Sequence, residues 1–296
     1  MKTKLISIAA LVLLAAACSS ESEVINDVEG DKVPVRVQVD EFSVSMSGFD
    51  DGPAPTRAVS DDVKACVLAF YDVEGKEVYK QAQIFADAGT YTTFGEFSAN
   101  LPVGNYTMVA LGYVHCDGDV LTLTSPTQAE FDGERPRETF SLVQDVTVTK
   151  ANPLNLTVKL NRISSWLSVM STDGRSASVT KIRTTYAKGG KSFNPTTGLS
   201  LTDDGFSQTN TPSTDVGATI WVSSCPFLSS DVETMDVTIE ALDKDNVVLF
   251  KKVIPNVEFK RSYKTTIKGP IFTTGTSAAG FQFNTEWGEG KTYTFD

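Results

Sequence analysis

Val63-Lys64-Ala65-Cys66-Val67-Leu68-Ala69-Phe70-Tyr71 runs into Asp72-Val73-Glu74-Gly75 and returns as Lys76-Glu77-Val78-Tyr79-Lys80. From Val63 to Tyr71 nearly every position is apolar, odd and even alike, as in a strand buried on both faces. Asp72 with Gly75 three residues on is tight-turn chemistry, because such a turn needs a left-handed residue. The return segment is amphipathic. Strand, turn and return strand set an antiparallel β reading, and the rest of the chain keeps to it.

Working outward, short alternating runs rich in Val, Thr, Tyr and Phe are broken by Gly, Asp, Asn and Pro. No sustained helical stripe with caps at both ends interrupts them. Val35, Val37 and Val39 alternate, and the phase then shifts to Phe42, Val44 and Met46, which predicts a bulge near Asp40-Glu41. Tyr106 to Tyr113, Leu154 to Leu160, Ile163 to Met170, Ala218 to Val222, Met235 to Leu242 and Val247 to Val253 continue the pattern. The reading is all-β, two antiparallel sandwiches in series. A weak internal echo agrees: Leu242-Asp243-Lys244-Asp245-Asn246-Val247 repeats the turn at Tyr71 to Lys76. Later, Leu101-Pro102 before Tyr106 is matched by Ile254-Pro255 before Tyr263. Asn152-Pro153 marks the expected boundary, giving domains over 33–151 and 152–296.

The start of the chain reads as an address. Met1 to Lys4 carries two lysines, and Leu5 to Ala17 is an almost wholly apolar run of 13 residues. A spanning helix needs ~20, so residues 1–17 read as a cleaved secretory signal. Three alanines lead into Cys18, a junction that resembles the bacterial lipobox, although Ala15 stands where that pattern usually has Leu. The resemblance implies that Cys18 carries lipid as the mature N-terminus. Residues 18–32 follow as an acidic tether, up to ~45 Å when extended.

Removing residues 1–17 takes away two lysines and no acid, leaving 24 basic against 37 acidic residues and a net charge of −13. Such a surface does not condense on nucleic acid or on anionic headgroups, so membrane attachment falls to the lipid. The mature length suggests about two domains. Cys66, Cys116 and Cys225 remain, an odd number that cannot be a complete disulfide framework. Cys66 and Cys116 could pair, but separate buried thiols are the preferred state. With His115 the single histidine, histidine-rich zinc sites and a Ser/His/Asp triad find no support. Gly189-Gly190-Lys191-Ser192 lacks the earlier glycine of a phosphate loop, Thr standing at 185. Asp203-Asp204-Gly205, Asp117-Gly118-Asp119 and Asp243 to Asn246 are acidic turns without full calcium-loop spacing. No catalytic residue, metal or cofactor is expected.

Several motifs in order resemble the fimbrillin family of Bacteroidetes surface lipoproteins, which includes pilus subunits and fimbrial anchors. They are the lipobox at Cys18, a strand at 33–46, Thr56-Arg57-Ala58, Leu68 to Lys76, Leu101 to Tyr106, Leu160-Asn161-Arg162-Ile163, and Ile254 to Val257 through Arg261 to Gly269. The resemblance implies two transthyretin-like β-sandwich domains and assembly with other fimbrial subunits by strand addition. In that scheme the lipidated precursor reaches the outer membrane and a trypsin-like protease cuts after an arginine. Arg57, the only arginine of the flexible 48–61 loop, is the candidate. Loss of the first strand, carrying Val35, Val37, Val39, Phe42, Val44 and Met46, opens a groove that a neighbour's donor segment fills. Phe281, Phe283, Trp287, Tyr293 and Phe295, alternating with polar residues, form the candidate donor.

Each assignment has a plainer alternative. Arg57 is an uncut linker arginine if the protein is an anchor, the first strand is a permanent edge, and Phe281 to Phe295 form a last hairpin turning at Gly288-Glu289-Gly290. The rival function is an outer-membrane lipoprotein that binds glycans, with Trp166, Trp221 and Trp287 as stacking platforms. Core packing is the commoner use of tryptophan in runs such as Ile220-Trp221-Val222.

Overall fold

The computed structural model describes residues 32–43, 63–87, 89–133, 135–151, 154–212 and 220–272. Its first half supplies β1 (Lys32–Ser43), β2 (Ala65–Tyr71), β3 (Glu77–Ile84), β4 (Glu96–Pro102), β5 (Gly104–Tyr113), β6 (Leu121–Ser125), β7 (Gln128–Phe131), β8 (Thr139–Val148) and β9 (Leu154–Arg162). The second half supplies β10 (Trp166–Ser171), β11 (Lys181–Tyr186), β12 (Ser192–Phe193), β13 (Phe206–Asn210), β14 (Ile220–Ser224), β15 (Val232–Leu242), β16 (Val248–Lys260) and β17 (Lys264–Gly269). A 3-10 turn at Phe85–Asp87 is the only helical piece among the described residues.

The first-half strands run β3-β2-β5-β8-β9-β1-β4. β8 and β9 share only two registered pairs, Phe140↔Arg162 and Ser141↔Asn161, so the sheet folds over at that corner. The layer β3-β2-β5-β8 then faces β9-β1-β4 across one core, in which Leu68, Phe70, Met108 and Val148 meet Val35, Val37, Phe97 and Leu160. In the second half, β14-β10-β17 faces β13-β11-β15-β16. Leu167, Val169 and Ile267 there meet Ile182, Val237, Ile239 and Phe259.

The two halves repeat one strand order. In each, the first strand (β1, β10) lies in the middle of a three-stranded layer. Its partners are a parallel last strand (β9, β17) and an antiparallel one (β4, β14). The opposite layers, β3-β2-β5-β8 and β13-β11-β15-β16, match strand for strand. The boundary expected at Asn152-Pro153 does not interrupt this pairing. β9, just beyond it, is the parallel partner of β1, and the first sandwich runs to Arg162.

β2 is buried at every position, as its composition predicts, and a third layer explains why. Ala65, Val67, Ala69 and Tyr71 point away from the sandwich core. They are covered by Leu121, Leu123, Ala129 and Phe131 of the small sheet β12-β7-β6, with Ile163, Phe193 and Phe227. That sheet joins the halves, since β12 of the second pairs with β7 of the first. Phe227 stacks between Phe193 and Phe131, with ring centroids at 4.2 Å and 6.2 Å. The buried guanidinium of Arg162 meets Glu138 at 2.5 Å and lies over the Phe140 ring.

Both predicted tight turns form. The Asp72 carboxylate accepts from the backbone N–H of Glu74 and Lys76, and Asp243 does the same for Asp245 and Val247. Gly75 (φ 79°) and Asn246 (φ 64°) take the left-handed position. Yet the echo is not the repeat. The first turn joins β2 to β3 and the second joins β15 to β16, which are different places in the shared strand order.

Candidate functional site: the slot of the first strand

β1 alternates by parity, with Val33, Val35, Val37 and Val39 buried and Pro34, Arg36 and Gln38 exposed. On one flank it pairs antiparallel with β4 from Lys32↔Pro102 to Gln38↔Glu96. On the other it runs parallel to β9 from Val35↔Leu154 to Ser43↔Asn161. The register shifts between Val39 and Glu41, the bulge that the change of apolar phase predicts. Phe42, beyond the bulge, pairs through its backbone with Leu160. β1 is therefore an interior strand and not the permanent edge that the plainer alternative supposes.

Four buried valines stabilise the docked strand by roughly 6–12 kcal/mol in side-chain transfer. Without β1, the facing edges of β4 and β9 lose their ladders and stand roughly 10 Å apart, two inter-strand spacings. The slot between them is floored by Phe97, Leu101, Val158 and Leu160 with Phe70 and Met108 from the facing layer. β1 fills that space with its apolar residues at alternate positions. At its rim the Tyr106 hydroxyl donates to the Pro102 carbonyl at 2.9 Å. Burial, then the nearby Asp72 carboxylate, raises that hydroxyl's pKa.

Val35, Val37 and Val39 lie together in the first core. Cys18, Val44, Met46, Arg57, Phe281, Phe283, Trp287, Tyr293 and Phe295 lie outside the described residues. Trp166 is half-buried with the Lys264 ammonium 5.4 Å from its ring centre, and Trp221 lies in β14. Trp287 lies outside the described residues. Cys66, Cys116 and Cys225 are free thiols; burial pushes the Cys66 thiol up to about 12. Among the described residues no group of three or more His, Cys, Asp and Glu is placed to hold a metal.

Two features escape the sequence reading. The first is the stack of Phe131, Phe193 and Phe227, whose members are scattered over 97 positions of the chain and carry no spacing signal. The second is the outer face of β4, β1 and β9, where Ser98, Arg36 and Asn155 form one row and Glu96, Gln38 and Thr157 the next. Its signal is only the polar half of each strand's alternation, which by itself reads as solvated surface.

The fold and slot define an all-β, sandwich-built protein whose N-terminal strand completes a sheet formed by later segments. Residues 32–295 match a Family of unknown function (DUF6562), and the chain belongs to that family. No curated protein matches the chain. Among solved structures, it is similar to a candidate polysaccharide-binding protein (DUF1812) of Bacteroides thetaiotaomicron. That likeness has 13% identity and a TM-score of 0.52, and covers 86% of this chain and 96% of the other. A candidate adhesin of the same organism has 12% identity, a TM-score of 0.51, and coverage of 88% and 98%. The fimbrial anchor protein Mfa2 of Porphyromonas gingivalis is similar at 10% identity, with a TM-score of 0.47 and coverage of 88% and 99%. At these identities the likeness is one of fold.

Proposed function

We propose that the protein is a cell-surface fimbrial subunit of the adhesin kind, polymerising or anchoring. It reaches the outer membrane as a lipoprotein through Cys18 and joins other subunits by exchange of β1. The observation that carries this reading is the place of β1, which comes first in the described chain yet sits between β4 and β9. A strand so placed can leave without unthreading the rest of the fold, and the apolar slot it leaves favours refilling. The strand order common to both halves supports two transthyretin-like units, divided after Arg162 and not at Asn152-Pro153. Adhesin and polysaccharide-binding proteins among the similar structures agree with a surface role.

Arg57 falls in the connection between the end of β1 at Ser43 and the start of β2 at Ala65. A cut there leaves β1 held by non-covalent forces alone. The donor is then the segment containing Phe281, Phe283, Trp287, Tyr293 and Phe295 of a second copy. In an anchor, Arg57 stays uncut, β1 stays docked and the lipid stays attached.

The test is to nick the purified precursor with a trypsin-like protease and follow intact mass while adding a labelled peptide of residues 32–46. A mature terminus at Ala58, release of the N-terminal fragment and uptake of the peptide are expected. A chain nicked after Arg57 that neither frees the fragment on mild heating nor takes up peptide overturns strand exchange. Mass of the protein from outer membranes then separates a lipidated Cys18 from an unlipidated one.

A further inference from the structure

The face of β4, β1 and β9 turned away from the core forms a cleft of about 410 Å³, with Thr92 as one wall. Register places Ser98, Arg36 and Asn155 side by side, and Glu96, Gln38 and Thr157 in the adjacent row. Cross-strand neighbours stand about 5 Å apart and rows roughly 7 Å, the scale of one pyranose ring. All six side chains are exposed, and among the described residues none spends its polar groups on another side chain. The corresponding face of the second sandwich differs. There Trp166, Ser168 and Met170 stand beside Lys264, Thr266 and Lys268, all buried or half-buried. Among the described residues, a row of exposed polar side chains across three strands is found on the first sandwich.

We propose that this cleft binds an uncharged oligosaccharide and that the bound sugar locks β1 in its slot. The ligand class follows from the side chains. One guanidinium and one carboxylate cancel in charge, so neither an anionic nor a cationic ligand is favoured. Two amides and two hydroxyls alternate donors with acceptors, as vicinal hydroxyls require. Small-molecule sites are mostly apolar, and this lining of hydrogen-bonding groups suits a ligand that is itself polar on every side. Without an aromatic platform each site is weak, with a Kd on the order of millimolar, and many copies on one surface supply the avidity.

The lock follows from the middle strand. Arg36 and Gln38 lie at the centre of the two rows, so a sugar spanning them binds only while β1 is docked. By linkage, ligand at ten times its Kd suppresses release of β1 about tenfold. The ligand class rests on the surface-adhesin reading; the site does not depend on strand exchange.

The experiment uses the full chain with uncharged hexasaccharides of glucose and mannose in several linkages, read by saturation-transfer NMR. Hydrogen exchange of the amides of 33–39 is followed in parallel. Expected are binding by at least one sugar, little salt dependence, and about tenfold slower exchange in β1 at ten times the Kd. The pair R36A/N155A should lose binding at least tenfold while keeping the wild-type melting temperature. Q38A/T157A serves as a second variant should the first pair fail to fold. Absence of binding up to 10 times a millimolar Kd, binding untouched by both pairs, or binding of sulfated glycans alone overturns the proposal. A chain that passes the peptide-uptake test yet binds no sugar loses this inference and keeps the proposed function.

Discussion

β1 and β10 occupy the same place in the two sandwiches, each flanked by one parallel and one antiparallel strand. What differs is what surrounds them. At β10, Ser165 donates through both N–H and Oγ to the Pro226 carbonyl, and Trp166 N–H donates to Tyr263. Thr172 N–H, past the other end, donates to Gly269. Just before β10, Ile163 N–H donates to Thr139, and Ser262 Oγ to the Arg162 carbonyl. For β1, Val39 N–H donates to Gly95 beside the bulge. One topology thus yields a strand tied into the junction between the halves and a strand that lines its ladders with four buried valines. Strand order alone does not fix how a strand is held; the contacts beyond its ladders also count.

The largest test of this contrast sets a carboxylate into each slot. Leu167→Asp places a charge at a fully buried site of the second core, costs upwards of ~4 kcal/mol, and should unfold the molecule. Val37→Asp carries the same local penalty in β1, but its expected result is local. Proteolysis and hydrogen exchange should report β1 undocked over a second sandwich that still melts cooperatively. Equal global loss in both variants would erase the distinction. Next in size is Phe227→Ala at the stack with Phe131 and Phe193, expected to cost about 3–5 kcal/mol. Calorimetry should then show the single transition of the joined halves separating into two.

Much of this fold is legible in the sequence because it is local. β2 announces itself by apolar positions on both parities, the β1 bulge by a shift of phase, and both tight turns by Asp with Gly or Asn three residues on. What was not legible is which strand lies beside which. Leu154 to Leu160 has the pattern of a half-buried strand in either sandwich, and only its parallel pairing with β1 assigns it to the first. The echo between Tyr71 to Lys76 and Leu242 to Val247 reports shared hydrogen bonds at Asp72 and Asp243, not shared position, since turn chemistry recurs wherever a hairpin is needed. The slot is half legible. Val35, Val37 and Val39 show a strand with one buried face, but nothing in their spacing tells an interior strand from an edge.

Smaller effects sharpen the same comparison. In the second sandwich Glu240 is gripped by Arg183, at 2.6 Å and 2.7 Å, and by Lys251 at 3.3 Å. Burial opposes ionisation of its carboxyl, but the hydrogen bonds and charges of those two residues outweigh burial and lower its pKa. A lowered pKa contributes stability above the ordinary glutamate value that is lost as pH falls through the folded value. Glu240→Gln should therefore be less stable than wild type above about pH 4.5, and the two should converge on acidification below that. Parallel acid titrations of wild type and Glu240→Gln measure this.

The smallest effect concerns the two tight turns, which precede β3 and β16, each an outer strand in its layer. A Cβ at Gly75 would meet nothing within 4 Å, so any cost of replacing it comes from the left-handed backbone and not from crowding. A β-branched Gly75→Val is then expected to cost about 1–2 kcal/mol. Gly75→Asn and Asn246→Gly exchange two residues that both tolerate φ near +65° and should each move stability by a few tenths of a kcal/mol. Urea midpoints resolve the difference. A Gly75→Asn penalty as large as that of valine would mean that the turn at β2–β3 needs more than a left-handed residue, and that its likeness to the β15–β16 turn ends at the two aspartates.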